Sequence, residues 1–186
     1  EGVSHEAASL AGHLGLGKLI VLFDDNEITI DGATSLSGSD DQCARFEAYG
    51  WDVSRVDGHD PDALQATIAA ARLSDRPSLI AARTKIGYGA PTKAGTSGAH
   101  GAPLGDEEIA AARVAMNWPH APFEIPDDVA AAWQAVGARG NAASAAWEER
   151  FEALDQDDRA AFERAMSGDL PAGIIEAMAD YRRQVA

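Results

Sequence analysis

The chain is short of cysteine, of positive charge and of long apolar runs, and each shortage closes a class of function. Cys43 is the only cysteine in 186 residues, so no internal disulfide can form, and a reducing, cytoplasmic setting is the default expectation. Lysine and arginine number 15 against 30 aspartates and glutamates, a formal net charge of −15. Such a surface offers nothing to displace counterions from nucleic-acid phosphates, so no nucleic-acid partner is expected. No apolar run approaches the roughly eighteen residues of a membrane span, and no signal-peptide n-region or h-region opens the chain. No membrane partner is expected either. Internal repeats are also absent.

What is present divides into two compositional regimes. Up to about Trp118, apolar runs of strand length alternate with helical periods. Leu19–Phe23 is a continuous apolar run behind a glycine turn, the pattern of a strand covered on both faces. Asp40 and Asp41 can cap a helix that runs through Arg45, Phe46 and Tyr49 and stops at Gly50. Trp51–Val56 reads as a second strand. Asp60-Pro61 opens a further helix, with Leu64, Ile68 and Ala71 along one face. Pro77–Arg83 is a third strand. The order β-α-β-α-β with short connections predicts an α/β fold with a parallel sheet flanked by helices and right-handed crossovers.

Between Lys85 and Asp106 lies a stretch without periodicity that contains six glycines. A segment of that length in a compact domain is either disordered or a functional loop, and its aromatic and histidine content favours function. Asp106 is expected to cap the next helix, through Ile109, Arg113 and Met116. Beyond Pro119 the chain turns alanine-rich and helical over Asp127–Val136, Ala142–Leu154, Asp157–Met166 and from Pro171 onward, an all-helical extension. Trp133, Trp147, Phe151 and Phe162 are expected to anchor these helices.

Chemistry concentrates at the C-terminal ends of the strands, where open parallel sheets bind ligands. Asp24-Asp25-Asn26 follows the first strand with hard oxygen donors of the kind that hold Mg²⁺ or Ca²⁺ beside a phosphate; a strand-capping turn is the competing reading. Arg83 and Lys85, past the third strand, are either anion contacts or surface charge. His100 sits in the glycine-rich loop, where an imidazole can donate or accept near neutrality. His5, His13, His59 and His120 have weaker claims, His5 the best of them. Cys43 has no histidine at catalytic spacing and reads as an inert thiol.

Taken in order, EGVSHEAASLAGH (Glu1–His13), Asp24-Asp25-Asn26, ITIDG (Ile28–Gly32), RFEAYGW (Arg45–Trp51), DGHD (Asp57–Asp60), PSLI (Pro77–Ile80), IGYG (Ile86–Gly89), KAGTSGAHGAPLG (Lys93–Gly105) and APFEIP (Ala121–Pro126) resemble the thiamine diphosphate-binding domain of transketolases. The resemblance implies residues 1–120 as the later part of that domain, called PP, and 121–186 as a helical extension and connector toward a Pyr domain. The family's Gly-Asp-Gly, which carries the charged metal ligand, is expected ahead of Glu1, in the rest of the polypeptide or on a second subunit.

The same resemblance implies thiamine diphosphate and Mg²⁺ or Ca²⁺ as cofactors. Asn26 and the carbonyl of Ile28 would hold the metal, and Gly2 and His100 would bind the cofactor. His100, Glu6 and Glu1 would serve catalysis, the two glutamates by sharing protons at a dimer interface. Ser97 stands where the family usually has a second histidine, which puts that residue's role in doubt. The implied activity is transfer of a two-carbon ketol unit between sugar phosphates, as in the pentose phosphate pathway, by a homodimer of the complete enzyme; this segment is expected to be inactive alone. Small residues Ala7, Ala8, Ala11 and Gly12 are expected to let the first helix approach its twin. The alternatives are another thiamine diphosphate enzyme (a deoxyxylulose-phosphate synthase, a phosphoketolase or a dihydroxyacetone synthase) and a non-catalytic assembly module.

Overall fold

A computed structural model describes residues 2–185, so Glu1 lies outside the described residues. The chain divides into two compact units, Glu1–Pro119 and His120–Ala186.

The first unit opens with α1 (Gly2–His13), followed by β1 (Ile20–Asp25), α2 (Gln42–Ala48), β2 (Asp52–Asp57), α3 (Pro61–Ala71), β3 (Ser78–Arg83) and α4 (Asp106–Ala115). Among the described residues the strands form one parallel sheet in the order β1-β3-β2. The expected strands are therefore present, each beginning one residue later than expected and ending within two residues of the expected end. The local capping chemistry is also as expected. Asp41 accepts from the Ala44 amide at 3.1 Å to start α2. Asp60 accepts from the Asp62 and Ala63 amides, both at 3.0 Å, ahead of Pro61 at the first turn of α3. Asp106 differs: it is the first residue of α4, and the cap position belongs to Gly105 at φ 87°, a backbone that only glycine adopts freely.

β3 lies between the other two strands, and Ser78–Ala82 are all buried. Register places Val21, Leu79 and Val53 side by side on the face that α1 and α2 cover, where Ala8, Ala11, Trp51 and Leu79 form a core with Phe23, Phe46 and Tyr49. Trp51 is the pin of that core. Its ring meets Phe46 edge-on at 5.0 Å, and its Nε1–H donates to the Ala8 carbonyl at 2.8 Å, so a polar tip is satisfied inside an apolar layer.

Two expectations are corrected here. β1 is covered on one face only: Leu22 is exposed on the other, and only β3 is buried along both faces. The small residues of α1 do not form one outward stripe. Ala8 and Ala11 are buried in the chain's own core, and Gly12 approaches the Tyr49 carbonyl so closely that a methyl group would run into it. The outward stripe of α1 consists of Val3, Ala7 and Leu10, continued by Leu14 in the turn that follows it.

The second unit contains α5 (Asp127–Ala138), α6 (Asn141–Glu152), α7 (Gln156–Ser167) and α8 (Ile174–Val185). Asp155 caps α7 by accepting from the amides of Asp157 and Asp158, and Gly168 ends it in the left-handed conformation. Trp147 stacks on Phe151 at 5.2 Å, and Phe162 packs against Phe151 at 5.3 Å, which holds α6 to α7. Trp133 does not join them; it is 79% exposed on α5.

The close approach at Gly12 yields a paired test. In a polypeptide carrying this segment, Gly12→Ala should destabilise by about 1–3 kcal/mol, the usual cost of overpacking. Gly2→Ala, which meets nothing within 4 Å, should leave the melting temperature unchanged or slightly raised. Equal thermal stability of the two variants would contradict the α1 packing.

Candidate functional site

Parallel register brings the three strands to a common end, with Asp25, Arg83 and Asp57 side by side. Arg83 lies 3.5 Å from the Asp25 carboxylate and pairs with Glu27 as well. The hydrogen bond from Arg83 holds the Glu27 carboxyl below the usual carboxylate range, and the same pair raises the Arg83 guanidinium. Asp24 accepts from the Thr84 hydroxyl. The anion-contact reading of Arg83 is thereby corrected, because its guanidinium is engaged by the acids of the β1 loop. Lys85 donates its backbone N–H to Nε2 of His59 at 2.9 Å, and the His59 ring stacks on Tyr88 at 4.1 Å. A cleft of about 510 Å³ opens between Arg55, His59, Arg83 and Lys85.

Asn26 lies one residue past β1, and the backbone then enters the left-handed region at Glu27, φ 60°. A non-glycine residue held there costs on the order of 1–2 kcal/mol, and such positions gather at functional sites. The turn lets Asn26 Oδ1 accept from the Ile28 amide at 3.0 Å. Ile28 faces Ala33 across an antiparallel bridge, flanked by Thr29 N–H to Gly32 O at 2.7 Å and Thr34 N–H to Glu27 O at 2.8 Å. Those flanking bonds make Ile28–Ala33 a non-hydrogen-bonded pair, in which a residue's own N–H and C=O point away from the partner strand. The Ile28 carbonyl therefore opens to the same side as the amide that Asn26 caps.

This is a fit test for a cation. Arg83 pairs with Asp25 and Glu27, Asp24 is hydrogen-bonded by Thr84, and Asn26 with Ile28 adds a pair of neutral oxygens. Among the described residues no three or more histidines, cysteines, aspartates and glutamates converge as a metal site. An amide and a carbonyl suit Mg²⁺ or Ca²⁺ when further oxygens and the negative charge come from a phosphate and other protein groups. The two oxygens would fit a divalent ion whose remaining ligands and counter-charge come from other groups.

His100 ends a short 3₁₀ turn, Ser97–Ala99, and is exposed. The segment carrying it folds back on the loop that leaves β3: Ala99 packs where a Cβ on Gly87 would sit, and the Gly95 amide donates to the Ile86 carbonyl at 2.8 Å. Asn26 and His100 thus both belong to loops that leave the C-terminal edge of the sheet.

The other candidates are more scattered. Gly2 and Glu6 are exposed on α1. His5 turns inward, accepts from Arg45 at 2.6 Å and packs on Phe46 and Tyr49. It borders a cleft of about 600 Å³ along β1 that also touches Asp25, Glu27, Cys43 and Arg55. Neither Asn26 nor His100 lines that cleft, so this hollow and the candidate chemistry do not coincide. Cys43 is buried, and burial pushes its thiol up, consistent with an inert group. His120 lies 3.9 Å from Glu124 in the second unit. Sequence reasoning missed the Arg83 bridge, the His59–Tyr88 stack and Glu108, whose side chain takes hold of the glycine-rich loop.

The model of the family "Transketolase, thiamine diphosphate binding domain" matches residues 1–171. A transketolase of Cereibacter sphaeroides is 54% identical over all 186 residues, which cover 28% of that protein. Transketolase 2 of Vibrio parahaemolyticus is 54% identical over 92% of this chain and 26% of its own. Among solved structures, the transketolase of Leishmania mexicana superposes with a TM-score of 0.85 at 39% identity, covering 93% of this chain and 27% of that one. The transketolase of Campylobacter jejuni gives 0.80 at 34% identity, over 88% and 26% of the two chains. The chain spans about a quarter of the length of the relatives it matches.

The Arg83 bridge can be read by titration. Arg83→Gln should move the Glu27 midpoint up toward the ordinary carboxylate value, followed by carboxyl-carbon NMR against pH. Because the folded-state value is lowered, the bridge stabilises fully above the unfolded-state pKa and is lost as pH falls through the folded one. An unmoved Glu27 midpoint in the variant would remove Arg83 as the cause.

Proposed function

Since this chain belongs to the transketolase family of thiamine diphosphate-binding domains, we propose that it holds the diphosphate–metal end of the cofactor within a longer polypeptide. That polypeptide would transfer a two-carbon ketol unit from a ketose phosphate to an aldose phosphate. The observation that carries the reading is the turn at Glu27. It leaves Asn26 and the Ile28 carbonyl on one side, beside acids that Arg83 and Thr84 hold by an ion pair and a hydrogen bond.

When bound, thiamine diphosphate supplies the nucleophilic carbon that takes up and hands on the ketol unit. The chain's own part is to bind and orient. Asn26 Oδ1 and the Ile28 carbonyl would offer the divalent ion two neutral oxygens, adding no repulsion against the diphosphate. Gly2, with open space about its Cα, would admit the cofactor close to the start of α1. His100 would donate to the diphosphate or to sugar oxygens on which charge changes during carbon–carbon cleavage, a preorganised contribution.

Assembly follows from α1. Its outward stripe of Val3, Ala7 and Leu10, continued by Leu14, keeps the 4-3-4 spacing of a helix seam, and Glu6 lies beside it. A homodimer in which this stripe meets its twin would bring Glu6, and Glu1 with it, between the two cofactors to share a proton. Residues 1–120 act as the later part of the PP domain and 121–186 as the connector toward a Pyr domain. The missing third metal ligand and the Pyr domain would come from the rest of the polypeptide or a second subunit, so the segment alone would be inactive. The cytoplasm and the pentose phosphate pathway are the setting this reading implies. Among the described residues no helix is long and apolar enough to cross a membrane.

The test separates ground-state binding from chemistry in the complete enzyme. Asn26→Ala should weaken thiamine diphosphate binding about ten- to hundredfold, partly rescued by excess Mg²⁺ or Ca²⁺. His100→Ala should lower kcat by about ten- to hundredfold with cofactor affinity much closer to the parent. Cofactor titration and steady-state ketol transfer measure both. Unchanged affinity in the first variant would remove the metal-ligand assignment, and full turnover in the second the catalytic one.

A further inference from the structure

The glycine-rich segment after β3 has almost no secondary structure, yet its course is determined at both ends by a single acidic residue. Glu108 occupies the third position of α4, and it is only 9% exposed. At that position a glutamate ordinarily reaches back to the cap residue of its own helix. Here the cap is Gly105, which lacks the side chain that would complete a reciprocal capping box, and Glu108 bonds the preceding loop instead. Its Oε1 accepts from the Thr92 amide at 2.7 Å and the Lys93 amide at 3.0 Å, and its Oε2 accepts from the Thr92 hydroxyl at 2.8 Å. The Thr92 amide is the leading cause of a carboxyl held below its usual range, with the Thr92 hydroxyl and Lys93 adding to it.

Lys93 completes a ring. Its Nζ donates to the Leu104 carbonyl at 2.8 Å and the Pro103 carbonyl at 3.2 Å. Those carbonyls lie just ahead of α4, so both ends of the segment from Lys93 to Leu104 are tied to the same point, and His100 lies inside the closed span. Burying an ionised carboxylate is costly unless its lone pairs are used; three donors on two oxygens meet that demand. An apolar residue would fill the same space at lower risk, but it could not draw two consecutive backbone amides and a hydroxyl together.

We infer that Glu108 is a positioning residue for His100: its carboxylate fixes the start of the loop to the start of α4 and so determines where the imidazole stands. The inference rests on the reading of His100 as the group that faces cofactor and substrate. The latch is intact wherever the carboxylate is ionised, above the unfolded-state pKa, and it is lost as pH falls through the lowered folded-state value. A glutamine at 108 keeps an oxygen for the two amides, and the Thr92 hydroxyl can turn to accept from the new amide group, so it retains most of the latch without the titration.

The experiment uses the complete enzyme with four variants: Glu108→Ala, Glu108→Gln, His100→Ala and the double variant Glu108→Ala/His100→Ala. Amide hydrogen exchange at Thr92 and Lys93, and across the following loop, reads the latch without any cofactor present. It should quicken at least tenfold in Glu108→Ala and much less in Glu108→Gln, with the parent's acid-induced loosening absent from Glu108→Gln. In steady-state ketol transfer Glu108→Ala should lower kcat about tenfold, Glu108→Gln should restore most of it, and in the His100→Ala background the alanine should cost little more. Unaltered exchange in Glu108→Ala would overturn the latch. Faster exchange with parental kcat, or a full additional loss in the double variant, would overturn the positioning role. Full turnover in His100→Ala would instead overturn the functional reading of the histidine, and with it the positioning role, while exchange at Thr92 and Lys93 still decides the latch on its own.

Discussion

Everything chemical in the first unit depends on β3 being paired in parallel on both sides. Its five buried residues, Ser78–Ala82, have no polar side chain larger than a serine hydroxyl, so the strand is stable only with a partner strand along each edge and cover on each face. Parallel pairing then forces β1, β3 and β2 to end together. The loops after β1 and β3 must leave from one edge, and Asn26, Arg83 and the histidine loop share that edge for topological reasons before any side-chain preference acts. Trp51 keeps the arrangement registered to α1, because its indole must find the Ala8 carbonyl once buried.

The second constraint is electrostatic. A chain with net charge −15 is an unpromising place for a diphosphate, and the local solution is to pair the nearest acids. Arg83 takes Asp25 and Glu27, and Thr84 takes Asp24. Each of these pairs is solvent-facing and adds little stability by itself. Their effect is on the residue between them: Asn26 is a neutral ligand among carboxylates whose charge one arginine offsets in part. The left-handed Glu27 belongs to the same device, since without that turn Asn26 could not cap Ile28 and the carbonyl would face elsewhere.

Local signals were readable from the residues alone. Asp41 and Asp60 announce their helices, and Pro61 sits where a first-turn proline belongs. All three strands were marked to within two residues, the first by its short apolar run. Faces and partners were not readable, because they depend on which neighbour arrives. Ala8, Ala11 and Gly12 look like a surface for a twin helix until Trp51 and Tyr49 occupy it. Trp133 looks like an anchor, but it faces solvent, while Trp147, Phe151 and Phe162 find one another because α6 and α7 are joined by a tight, Asp155-capped turn. Arg83 reads as a phosphate contact until the register sets it beside Asp25. The trace of Glu108 was an acidic residue at the third helical position behind a glycine cap, where no reciprocal capping box can form.

The same distinction explains how a glycine-rich loop can hold a histidine still. Gly87, Gly89, Gly95, Gly101 and Gly105 all take left-handed backbone, so the segment must give up more conformational entropy than an ordinary loop to become ordered. No helix or ladder offsets that cost. What does is a small number of contacts at the ends: His59 on the Lys85 amide, Glu108 on Thr92 and Lys93, and Lys93 on the Leu104 carbonyl. Tying the ends limits where the interior can reach, at a closure cost that grows only slowly with length. The glycines then serve shape: Gly87 leaves the space that Ala99 enters, and Gly95 leaves space for Lys85. A larger residue at either place would push the returning strand of the loop outward, and His100 is the next residue along from Ala99.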